Sequence, residues 1–199
     1  MSKVLASRDG THDNTMSANT TPKVWFTPTR GGSNWLWLSA FVILLDQATK
    51  AIVGSSMELY DRIELLPILE LTRLHNTGAA FSMLAGASGW QRWFFIALAL
   101  GVSVVLMIWL RRVRTPEHTL LALGLALVLG GALGNVIDRV WLGHVIDFIH
   151  FHWQGWYFPA FNVADSAISI GAGCLILDAF RDGGTAPSSA DSDRAAEKH

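Results

Sequence analysis

Residues 161–180 read FNVADSAISIGAGCLILDAF, an apolar stretch with Asp165 inside its first turn. About 20 apolar residues suffice to cross a bilayer as a helix. A carboxylate in hydrocarbon costs roughly 2.5–3.5 kcal/mol on insertion scales, so Asp165 at the head of a span needs a physical reason. Three further stretches have the same length and character, Trp35–Gly54, Trp90–Leu110 and Thr119–Ile137. Together they predict an all-α integral membrane protein with four transmembrane helices.

Composition agrees. The chain of 199 residues is 51% hydrophobic and 16% charged and carries nine Trp. A soluble domain averages about 25% charged residues, and Trp is enriched at membrane interfaces. A net charge of −1, with basic residues only in short clusters at span ends, predicts no nucleic-acid partner. Cys174 lies mid-span and is the single cysteine, so no intrachain disulfide can form.

Residues 1–34 and 181–199 are polar, rich in Ser, Thr, Asn, Gly and Asp, and predict mobile tails flanking one membrane unit, 35–180. Residues 1–34 also lack the apolar run of a signal peptide. Lys and Arg accumulate on cytoplasmic loops. Lys3, Arg8, Lys23 and Arg30 precede the first span, Arg111, Arg112 and Arg114 join the second to the third, and Arg181, Arg194 and Lys198 follow the fourth. This places both termini in the cytoplasm, with loops 55–89 and 138–160 on the outer side. The first, containing IELLPILELTRLHNTGAAFSML, predicts strands or a partly embedded, β-like platform. The second, with HVIDFIHFHWQGWYFPAF (144–161), predicts an aromatic loop lying at the interface.

Helix arithmetic then sets the depth of each charge. Asp46 lies eleven residues past Trp35, about 16 Å along the first span, with Lys50 one turn beyond. The third span rises to Asn135, Asp138 and Arg139; the fourth descends from Asn162 and Asp165; Asp147 lies on the connection between them. All converge near the outer leaflet. Simpler roles exist for most of them. Asp46 and Lys50 are an i,i+4 pair able to neutralise each other, and Asn162 with Asp165 has the form of a helix cap. Asp138 and the adjacent Arg139 read as an interfacial ion pair, with Arg139 reaching toward water. Asp147, between Ile146 and Phe148, suits no solvated loop. His144, Asp147, His150 and His152 suggest a metal site, but their spacing matches no zinc pattern. There is no GxSxG elbow and no thiol at this level, which leaves an acid pair as the catalytic candidate.

DQATK (46–50), HNTGAAFS (75–82), GNVIDRV (134–140), VIDF (145–148) and FNVADS (161–166) follow one another in this order. In that set the chain resembles the lipoprotein signal peptidase (signal peptidase II) family across residues 35–180. The resemblance implies an aspartic endopeptidase of the bacterial inner membrane, with its site near the periplasmic face. Such an enzyme removes signal peptides from diacylglyceryl-modified prolipoproteins, cutting just before the lipidated cysteine. It further implies Asp147 and Asp165 as the catalytic pair, and Asn76, Asn135, Arg139 and Asn162 as residues lining the site or holding substrate. Asp46 and Lys50 stand nearby, and Asp138 supports Arg139. No metal or cofactor is implied; membrane lipid and the cyclic peptide globomycin are implied as ligands. Two carboxylates close together in a partly desolvated site share one proton. The ionised one can activate water while the other polarises the scissile carbonyl. The helix start favours an anion at Asp165, which makes it the candidate base. Two other classes stay open on the residues alone. An ion transporter would use intramembrane charges, although here they share one depth and no inverted repeat is visible. A lipid-binding scaffold would need the aromatic loops but no paired acids.

Overall fold

The computed structural model describes residues 31–78, 89–114 and 118–183. Most of both polar tails, and the AAFS end of the HNTGAAFS motif, lie outside the described residues. Four helices are long and apolar enough to cross a membrane: α1 (Leu36–Ser56), α2 (Trp90–Arg112), α3 (Thr119–Trp141) and α4 (Val163–Gly183). Each begins within about two residues of its sequence expectation and runs further at its C-terminal end, α3 the furthest, to Trp141 rather than Ile137. The extra turn of α3 carries Asp138 and Arg139 into the helix itself.

α3 is the centre of the bundle and packs against α1, α2 and α4. Its small residues allow this. A Cβ on Gly131 would strike the Ala164 carbonyl of α4, and one on Gly134 would come within 2.7 Å of the Asp46 carboxylate. Backbones in membranes approach closely where side chains are small, and here that approach also makes room for a charge. Leu106 and Leu110 of α2 close a core with Leu125 and Leu129 of α3. The outward faces carry exposed Trp37, Leu44, Val105 and Ile176, a surface suited to lipid rather than water.

The α1–α2 and α3–α4 connections join in one antiparallel sheet, in the order β1 (Arg62–Leu66), β2 (Leu69–Asn76), β3 (Val145–Trp153) and β4 (Trp156–Tyr157). The expected platform is therefore a true sheet. The aromatic segment expected at the interface supplies its third and fourth strands. The turn between them uses Gln154 and Gly155, both at positive φ (48° and 84°), as a two-residue hairpin of matching twist requires. Pairing of β2 with β3 sets Leu74 opposite Asp147 and Asn76 opposite Val145. Beyond the sheet, Phe161 exchanges backbone hydrogen bonds with Ile149, 2.8 and 3.0 Å, which draws the start of α4 against β3.

Candidate active site

Asn162 stands between the two acids. It is fully buried and precedes α4, where its side-chain oxygen accepts from the Asp165 N–H at 2.9 Å. Its own N–H donates to Asp165 Oδ2 at 3.3 Å. This reciprocal arrangement is a helix cap in which an acid replaces the usual Glu or Gln. The Asn162 amide nitrogen then donates to Asp147 Oδ1 at 2.8 Å. One side chain thus fixes both carboxylates, and its cap geometry leaves it little freedom. Two more asparagines complete the site: Asn76 Nδ2 donates to Asp147 Oδ2 at 2.9 Å, and Asn135 Nδ2 to Asp165 Oδ1 at 2.8 Å.

The acids differ in surroundings. Asp147 is 3% exposed, on a strand with Ile146 and Phe148 beside it, whereas Asp165 is half-buried. Burial raises the Asp147 pKa from the ordinary carboxylate value to about 6, and the nearby Asp165 adds to the rise. The hydrogen bonds from Asn76 and Asn162 and the charge of Lys50 act the other way without cancelling it. Asp147 therefore holds a proton more readily than a solvated carboxylate does. Arg139 lies within electrostatic reach of Asp165, Asp147 and Asp138. Its guanidinium sits over the Phe95 ring at 5.4 Å and donates to the Asn135 carbonyl at 3.3 Å.

Behind the acids is a second charged layer. The Lys50 ammonium is 2.8 Å from Asp46 and 2.8 Å from Asp138, and donates to Asn135 Oδ1 at 3.0 Å. Asp46 also accepts from the Ala164 N–H at 2.9 Å, in the first turn of α4. The expected Asp46–Lys50 pair is thus one half of a three-charge cluster. Asp138, expected to support Arg139, instead bonds Lys50, Gln47 Nε2 at 2.9 Å and the Ile146 N–H at 3.3 Å. Adjacent helical residues do not face one another, so Asp138 bonds toward Lys50 while its charge still reaches Arg139. Gln47 was not singled out by sequence. Its signal is a polar residue between Asp46 and Lys50 in an otherwise apolar span.

The histidines that suggested a metal site do not converge. His150 Nδ1 pairs with the buried Glu70 at 2.7 Å, and His144 stacks on His75 at 3.7 Å. Among the described residues no group of three His, Cys, Asp or Glu could hold a metal ion.

Four membrane-length helices with a pair of amide-bridged aspartates at one end define an integral membrane protein equipped for aspartic hydrolase chemistry. The family model described as Signal peptidase (SPase) II matches residues 38–181. Lipoprotein signal peptidase of Ectopseudomonas mendocina is 57% identical over 149 residues, covering 74% of this chain and 88% of that protein. The protein of the same name from Pseudomonas fluorescens (strain Pf0-1) is 56% identical over 153 residues, covering 76% and 89%. A bacterial membrane enzyme structure obtained by the in meso method superposes with a TM-score of 0.68 at 31% identity, covering 79% of this chain and 94% of that one. The chain belongs to the signal peptidase II family.

The shared cation generates a prediction. Lys50→Met leaves two buried carboxylates without a counter-charge and should cost about 3–5 kcal/mol, read as lost folded protein on gel filtration. Asp46→Asn should cost less, because Lys50 keeps Asp138. The double variant should recover little, since Asp138 stays buried and unpaired. A double variant folding as well as wild type would show that Asp138 is not coupled to Lys50.

Proposed function

We propose that this protein is the aspartic endopeptidase that removes signal peptides from diacylglyceryl-modified prolipoproteins, cutting just before the lipidated cysteine. The observation that carries this reading is the fully buried Asn162, bonded at once to Asp147 and Asp165. A bridge of that kind holds two carboxylates for joint work on one substrate. Family membership supports the prolipoprotein substrate, by the name its relatives carry.

Asp147, whose burial keeps the proton, is the acid and polarises the scissile carbonyl. Asp165, more exposed and open to water, is the base. It takes a proton from the attacking water as the oxygen adds to the carbonyl carbon. The tetrahedral intermediate collapses as the C–N bond breaks and the proton that Asp165 took from water passes to the departing amine nitrogen of the lipidated cysteine, which returns both acids to their starting state. The amine leaves neutral and the signal peptide leaves as a carboxylic acid. No covalent enzyme intermediate is needed. Arg139 stabilises the oxyanion from outside the pair, and Asn76 and Asn135 hold the acids in place. These roles belong to the pair as loaded with one proton.

The membrane unit 35–180 would work in the bacterial inner membrane with both polar tails in the cytoplasm and the acids near the periplasmic face. The Lys and Arg distribution supports this orientation. Membrane lipid would surround the bundle, and globomycin would compete with substrate at the pair.

Purified protein incubated with a diacylglyceryl-modified prolipoprotein should yield a product shortened by its signal peptide, and globomycin should block this. Asp147→Asn and Asp165→Asn should each cut the rate at least about 10²–10⁴-fold while still eluting as folded protein. Turnover within tenfold of wild type in either variant would remove that residue from the pair. Orientation is read separately in a Cys174→Ser background. A membrane-impermeant thiol reagent added from outside should label Glu58→Cys and spare Arg114→Cys; the reverse pattern would invert the topology.

A further inference from the structure

Phe95 stands in the second turn of α2 and is half-buried. It belongs to neither apolar core, the one around Leu110 and Leu125 or the one around Val53 and Phe148. Two groups of the site lie against it instead. One is the turn that follows β2. Gly78 has a φ of 88°, a left-handed conformation that glycine takes without strain, and its N–H donates to Asn76 Oδ1 at 2.8 Å. With its oxygen held in this way, the Asn76 amide presents its nitrogen to Asp147 Oδ2. The Cδ2–Cε2 edge of Phe95 lies on Gly78: a Cβ built there would stand 2.7 Å from Cδ2 and 2.5 Å from Cε2. The ring thereby fixes the turn on that side.

The second group is Arg139. Its Cζ stands over the same ring, 5.4 Å from the centroid, within the roughly 6 Å at which an aromatic face attracts a cation. Among the described residues no carboxylate lies within ion-pair distance of Arg139, although Asp165, Asp147 and Asp138 act on it from further off. Its hydrogen bond to the Asn135 carbonyl, at 3.3 Å, is long. A flexible side chain with so little fixed contact needs a surface to lie on, and Phe95 supplies it. Ordinary packing explains a phenylalanine on a bundle helix. It gives no reason for one ring to meet both the turn that orients Asn76 and the guanidinium beside the acids.

We propose that Phe95 is a positioning residue for the hydrolytic site, its ring setting Arg139 and the Asn76–Gly78 turn relative to the two aspartates. This rests on the peptidase reading above and on the oxyanion role given there to Arg139. Phe95 acts through these two residues and not on substrate. Because the oxyanion develops only in the transition state, a misplaced guanidinium lowers kcat and leaves KM alone.

The test uses the full chain in detergent with a diacylglyceryl-modified prolipoprotein, its folded state read by gel filtration. Phe95→Leu keeps apolar bulk and loses the ring face. It should lower kcat about tenfold and leave KM within about twofold of wild type. A second readout needs no turnover. Burial raises the Asp147 pKa and the hydrogen bond from Asn76 opposes the rise. A loosened Asn76 should therefore move the infrared midpoint of the Asp147 carboxyl band upward in Phe95→Leu. A kcat within about twofold of wild type, or an unmoved midpoint, would overturn the proposal. A trifluorinated phenylalanine in place of Phe95 keeps the shape and weakens the negative face of the ring, so it should lower kcat about threefold. An undiminished rate with the fluorinated ring would show packing alone and also overturn the proposal; this variant decides if Phe95→Leu does not fold. Wild-type protein that cleaves no prolipoprotein would sink the peptidase reading instead, and the midpoint would then decide the role of Phe95.

Discussion

One ammonium group organises the end of this bundle that carries the sheet. Lys50 is 2% exposed and sits 2.8 Å from each of two buried carboxylates, Asp46 and Asp138. Removed from water, none of the three charges is tolerable alone, so α1 and α3 cannot separate or slide without exposing an unpaired ion. Asp46 extends the same constraint to α4 by accepting from the Ala164 N–H. Gly134 permits it by leaving space for the Asp46 carboxylate. The cluster therefore fixes three helices at one level of the membrane, and Lys50 passes its influence on to Asn135 and so to Asp165.

Chemistry is built on that fixed end by a division of labour. The helices supply Asn135, Arg139, Asn162 and Asp165; the sheet supplies Asn76 and Asp147. Asn162 joins the two sets. Because Phe161 is bonded to Ile149 of β3, the cap of α4 and the acid of β3 move as one piece. Burial adds an asymmetry: the deeper acid, Asp147, has its pKa raised to about 6 and Asp165 is more exposed, the inequality that the proposed acid–base hydrolysis would use.

Much of this was legible in the sequence, for reasons that can be named. The four spans follow from apolar length, and the shared depth of Asp46, Lys50, Asp138 and Asp165 follows from 1.5 Å per helical residue. The Asn162–Asp165 cap is a local motif and forms as its spacing requires. What depended on long-range pairing was hidden. Asn76 meets Asp147 across 71 residues, a contact set by β2–β3 register alone. Val145–Phe148 is buried on both faces, so β3 lacks the alternation that marks a half-exposed strand and its aromatics read instead as an interfacial segment. Asp138 was assigned to its neighbour Arg139 by adjacency, when the helix turns it toward Lys50. Gln47 signalled itself only as a polar residue inside an apolar span; its role comes from the buried groups that the fold places beside it.

The central claim is that Asp147 and Asp165 act as a pair holding one proton, kept by Asp147. Infrared spectroscopy of the protonated carboxyl stretch reads this directly. Wild-type protein should show a carboxyl band that disappears as pH rises, with a midpoint at about 6. The band should be missing from Asp147→Asn. In Asp165→Asn it should persist with a lower midpoint, because the raising effect of Asp165 is gone. A wild-type midpoint at about 4, the value of an ordinary carboxylate, or a band that survives Asp147→Asn would contradict the account.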